Sequence, residues 1–106
     1  MSTETRFLQK YQAVGVRRGE ECLLRHAEAL RFLTDCERLG VTILGMDFYK
    51  QEGGDVIELL ATADYSSLGG QAHAAGRSVA AARRLIQTHL PDGATWVSFT
   101  IEKQGA

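Results

Sequence analysis

The stretch that decides the fold is "VTILGMDFYKQEGGDVIELL", residues 41–60. Its first half carries Val41, Ile43, Leu44, Met46, Phe48 and Tyr49, apolar side chains on both alternating faces, four of them β-branched or aromatic. Such a run reads as a strand covered on two sides, and therefore as the centre of a sheet. "QEGGD" supplies glycines for a tight turn, and "DVIELLATA" returns as a second strand, making a hairpin. Asp47 interrupts the apolar run. A carboxylate buried there without a partner costs several kcal/mol. It is expected to accept hydrogen bonds, to meet a cation, or to turn outward.

Working outward, residues 25–39 predict a long helix in which Ala29, Leu30, Phe32, Leu33, Cys36 and Leu39 form one apolar stripe. Gly40 stands where a left-handed cap ends such a helix. Glu28, Arg31, Glu37 and Arg38 mark its solvent side. Before it, Phe7, Leu8, Tyr11 and Val14 predict a short amphipathic helix stopped by Gly15, and "VRRGEE" reads as a turn. After the hairpin, "ADYSSLGGQAHAAGR", residues 63–77, reads as a long irregular loop. Ser78 is placed to cap a third helix running to Leu90, with Val79, Ala82, Leu85, Ile86 and His89 facing one way. "TWVSFTIEK" is a last strand, with Val97, Phe99 and Ile101 inward and Trp96, Ser98 and Thr100 on a half-covered face.

If the strand at 41–49 is central, the sheet order is second–first–third, and the central strand runs antiparallel to both neighbours. Right-handedness of the crossover places the third helix beside the second. The expected architecture is α+β, two-layered, with a three-stranded, mainly antiparallel sheet and about three helices, in a single domain spanning 1–106.

Composition narrows function mainly by exclusion. The 106 residues carry 12 basic and 13 acidic side chains, a net charge of −1, so no global field draws nucleic acid or an anionic membrane. No apolar run is long enough to span a bilayer, and "MSTETRFLQKYQ" lacks the features of an export signal. Cys22 and Cys36 fit neither a metal spacing nor a disulfide framework, and read as small buried hydrophobes in a reduced, cytoplasmic protein. His26, His73 and His89 stand singly, without ligand spacing, so neither a metal nor a cofactor is expected. "SSLGGQ" lacks the frame of a nucleophile elbow, "QEGGD" is too short to cradle phosphate, and no catalytic constellation emerges. The arginines of "VRRG" and "AARRL" lack interleaved aromatics and read as solvated helix faces.

The acids are more informative. Asp47, Glu52, Asp55, Glu58 and Asp64 all fall on or near the hairpin, with Lys50 the nearby base. An acidic edge suits a basic partner, and it also discourages promiscuous strand pairing.

Two segments then show a likeness. "HAEALRFLTDCERLGVTILGMDFYK" resembles the helix and "I-L-G-G-D-V-Y" strand of the immunity protein 40 family of bacterial polymorphic and contact-dependent toxin systems. Ile43, Leu44, Gly45, Asp47 and Tyr49 match, while Met46 replaces a glycine and Phe48 a valine. "RSVAAARRLIQTHLPDGATWVSFTIE" resembles the family's later helix and closing strand through Ser78, Val79, Ala82, Arg83 and Ile86. The tryptophan expected after the second strand is absent, with Tyr65 nearest.

The resemblance implies a non-enzymatic, cytoplasmic protein that binds and neutralises a cognate toxin C-terminal domain; a monomer is expected over a homo-oligomer. It also implies that Asp47 is a structural anchor for strand and loop more than a catalytic group, with a direct contact to the toxin as the alternative. The expected toxin-binding residues are Glu52, Asp55, Glu58, Asp64 and Tyr65. A second reading is a small ligand-binding or enzymatic domain whose pocket, under the 63–77 loop, uses Asp47, His73 and Tyr65. A third is an oligomerisation module pairing through the exposed edge of the last strand.

Overall fold

The computed structural model describes the backbone of residues 3–18, 21–53, 55–88 and 96–102, and their side chains except those of 3–8, 18, 51, 52, 55–62 and 88. In chain order the elements are α1 (Thr3–Val14), β1 (Val16–Arg18), β2 (Glu21–Leu23), α2 (His26–Leu39), β3 (Ile43–Glu52), β4 (Asp55–Asp64), a 3-10 turn (Ser66–Leu68), α3 (Ala74–Thr88) and β5 (Trp96–Ile101). His89 and Leu90, in the expected tail of the third helix, lie outside the described residues.

The main sheet has the order β4-β3-β5, with β3 antiparallel to both neighbours. This is the expected α+β arrangement with the hydrophobic strand at its centre. Phe48 pairs across from Val97 and Met46 from Phe99, and these side chains meet α2 and α3 on one face. Leu33 and Cys36 from α2, and Val79, Ala82 and Ile86 from α3, complete that core; each is at most 1% exposed. Phe32 joins the sheet to α1, stacking on Phe99 at 4.7 Å and meeting Tyr11 edge-on at 5.0 Å.

Gly40 ends α2 as expected, at φ 72, and the Val41 N–H closes the cap on the Cys36 carbonyl at 2.8 Å. The chain thus enters β3 directly from the helix with Val41 already buried.

Two local expectations are corrected. Ser78 does not cap α3, which begins four residues earlier at Ala74. Its hydroxyl is fully buried, accepts the Ile43 N–H at 2.9 Å and donates to the Ala75 carbonyl at 3.0 Å. A small polar side chain at this position ties α3 to the start of β3 and satisfies a backbone donor that the bulge near Gly45 leaves outside the ladder. The second correction concerns "VRRGEE", which is not a simple turn. Val16–Arg18 and Glu21–Leu23 pair as a small hairpin, with Arg17 opposite Cys22.

That hairpin changes the far side of the sheet. Leu24 exchanges two backbone hydrogen bonds with Val97, both 2.8 Å, on the outer edge of β5. Leu23 packs with Tyr49 and Trp96 in a second, smaller cluster. Trp96 is consequently 6% exposed and Ser98 5%, not half covered. Gly15 makes this docking feasible: a Cβ there would run into Cys22 Sγ and lie 3.0 Å from the Leu23 carbonyl.

Candidate functional site

The face of the sheet turned away from α2 and α3 gathers the polar chemistry. Side chains alternate along a strand, so Gly45, Asp47 and Tyr49 share this face of β3. Their partners are Asp64, Thr62 and Glu58 on β4, and Thr100, Ser98 and Trp96 on β5. The parity that buries Met46 and Phe48 against the helices thus puts Asp47 on the opposite side, which answers why the apolar strand holds an acid.

Asp47 is half-buried, and among the described residues it forms no hydrogen bond or ion pair. Burial first, and then repulsion from the nearby Glu21 carboxylate, push its carboxyl above the usual range. Glu21 comes from β2 and accepts a hydrogen bond from the Tyr49 hydroxyl. Next to this pair, the Arg25 guanidinium lies 4.9 Å from the centre of the Trp96 ring. The Trp96 indole N–H is buried without an acceptor among the described residues. At the other end of the face, Leu44, Gly45, Asp47, Asp64, Ser66 and Thr100 bound a shallow depression of about 400 Å³.

The residues expected from sequence to touch a partner are divided by the fold. Asp64 is exposed, and its carboxylate accepts the Ser66 N–H at 2.9 Å, which holds its pKa below the usual range and starts the 3-10 turn. Tyr65 is half-buried against the main core, its N–H bonded to the Leu44 carbonyl at 2.7 Å, and burial raises its hydroxyl. Glu58 stands across from Tyr49 and therefore at an open-face position. Glu52 and Asp55 pair with each other at the hairpin tip, on the opposite parity of β3. The side chains of Glu52, Asp55 and Glu58 lie outside the described residues.

The pocket expected beneath the 63–77 loop does not assemble its three polar groups. His73 is exposed in a left-handed conformation at φ 59, Tyr65 points into the core, and the Asp47 depression includes neither. A separate cleft of about 460 Å³ lies between α1, the small hairpin and the outer edge of β5.

Both cysteines are free thiols. Burial pushes Cys36 up to about 12, with the neighbouring Asp35 charge adding to it, and burial also raises Cys22. The Cys22 thiol donates to the Tyr11 carbonyl at 3.3 Å. Neither is held as a reactive thiolate. No group of three His, Cys, Asp or Glu side chains able to hold a metal occurs among the described residues. No described helix is long and apolar enough to cross a membrane.

Sequence reading missed Glu21, Tyr49, Ser98 and Trp96 as members of this site. A signal was present in the alternation itself, because any residue two positions from Asp47 shares its face. The role of Glu21 had no such signal, since it depends on where the hairpin docks.

No family model matches this chain, and no curated protein or solved structure matches it. The likeness to immunity protein 40 rests on its two motifs.

Proposed function

We propose that the protein is a non-enzymatic, cytoplasmic immunity protein that neutralises a cognate bacterial toxin domain by binding it across the open face of the sheet. The observation that supports this most is the carboxylate set on that face. Asp47 has no cation among the described residues, Glu21 lies close enough to repel it, and Asp64 is exposed at the end of β4. A lysine- or arginine-rich surface docking here relieves the repulsion between Asp47 and Glu21, and complementary charge speeds association. The two family-like motifs supply the toxin class of partner.

The test is calorimetric titration with the C-terminal domain of a large secreted protein encoded immediately upstream. A one-to-one nanomolar complex is expected. Charge reversal at both Asp47 and Glu58 is expected to weaken it at least about tenfold, or about 1.4 kcal/mol. An unchanged affinity in that double variant removes the face from the interface. Absence of binding between two folded proteins ends the immunity reading.

A further inference from the structure

The cleft of about 460 Å³ exposes strand edge as well as apolar surface. Leu24 bonds through both its N–H and C=O to Val97, so at Val97 these groups point away from β3. Antiparallel ladders alternate with period two. The register is regular from Tyr49↔Trp96 to Met46↔Phe99, so the N–H and C=O of Phe99 point to the same outer edge. Leu24 covers the edge for one residue only, because the chain then turns at Arg25 into α2. Beyond it the outward groups of Phe99 lie at the cleft, with no backbone partner among the described residues.

The walls of the cleft differ on the two sides of that edge. Tyr11, Phe32, Phe99 and Ile101 give an apolar wall on the helix side. Ser98, Thr100 and Glu21 line the other, and Asp47 sits near Glu21. Among the described residues the lining holds no lysine or arginine. A strand laid along the edge would alternate between these walls. Apolar and basic side chains in alternation complement both. A symmetric pairing of β5 with a second copy is disfavoured, because Leu24 already occupies the edge at Val97.

We propose that this cleft captures an extended polypeptide segment of alternating apolar and basic residues, which adds as a short strand to β5 beside Leu24 and bonds to the backbone of Phe99. Strand addition draws its binding from backbone hydrogen bonds and its selectivity from pockets for alternate side chains. The proposal holds for such a segment whatever protein supplies it, and so stands apart from the toxin reading.

The test uses the full chain, labelled for amide-resolved NMR, with acetyl-Val-Lys-Val-Lys-Val-amide as the probe and its Val-Glu counterpart as control. The lysine peptide is expected to shift the Phe99 amide and slow its hydrogen exchange, and to bind at least about tenfold more tightly than the glutamate peptide. Phe99→Pro removes the outward N–H without touching the β3 ladder, and should abolish binding; Phe99→Leu keeps the N–H and should retain it. No shift at Phe99 with the lysine peptide in millimolar excess overturns the proposal, as does equal binding by folded Phe99→Pro. Protection of the Phe99 amide in the peptide-free protein that disappears on dilution would assign the edge to a second copy instead, and also overturns it.

Discussion

The two faces of one three-stranded sheet are built from the same strands to opposite ends. On the helix side, Met46, Phe48, Val97 and Phe99 meet α2 and α3, and the packing is apolar and tied by few polar contacts. On the other side, Leu23 packs on Tyr49 and Trp96 at one end, and Asp47 and Thr100 continue into a shallow acidic surface. A single strand, β3, serves both. Met46 and Phe48 carry stability, and Asp47 between them carries a charge that no described residue neutralises. The apolar core and the exposed acidic groups are thus separated by the thickness of one sheet.

Breaking the covered face should give the largest effect. Phe48→Ala removes a fully buried ring between β3 and the helices and is expected to cost about 3–5 kcal/mol in urea unfolding. Ser78→Ala, on the same side, leaves the buried Ile43 N–H without its acceptor and should cost about 1–3 kcal/mol. A near-neutral result in that variant would mean that α3 does not depend on this tie. Gly15→Ala tests the link between the faces. The added methyl must displace the β1–β2 hairpin from α1, at about 1–3 kcal/mol, and Trp96 fluorescence should report greater exposure of the smaller cluster.

Two charge variants sharpen the contrast by pH. At Asp35, burial pushes the carboxyl up, but hydrogen bonds from Tyr11, Lys10 and Arg38 outweigh it and hold the pKa below the usual range. A folded pKa below the unfolded one gives stability that is present at neutral pH and lost as pH falls through the folded value. Asp35→Asn should therefore be less stable than the parent near pH 7, and the gap should close in acid. Asp47 has the opposite sign. Its folded pKa is raised, so its contribution is fully present below the ordinary carboxylate pKa and is lost as pH rises through the folded value. Asp47→Asn should be slightly more stable than the parent at pH 7, with the difference vanishing below the usual carboxylate range. Matching pH profiles for the two variants would erase the distinction between the hydrogen-bonded carboxylate of α2 and the one on the open face.

Much of the covered face was legible in the sequence. The apolar stripe of residues 29–39, Gly40 after it, the two-sided strand at 41–49 and the spacing of Val79, Ala82 and Ile86 each report a local period or a local backbone need. Those signals locate α2, β3 and α3 and, with the hairpin turn, the order of the sheet. The start of α3 was misplaced because Ser78 satisfies two requirements of a helix cap, small size and a hydroxyl, while using them on a strand distant in sequence. The open face was less legible. Asp47 stands out as an acid in an apolar run, yet its neighbours Glu21 and Ser98 come from other elements and carry no local mark.

What the sequence determined by itself, then, is the set of elements and which side of each is apolar, since periodicity and capping act over a few residues. Only the tertiary structure decided that "VRRGEE" pairs as a hairpin, that Leu24 seals part of the β5 edge, and that Glu21 comes to stand near Asp47. The physical reason is that each of these depends on contacts between chain segments far apart. Their free energy comes from shape and packing at the meeting point, and no single segment encodes that alone.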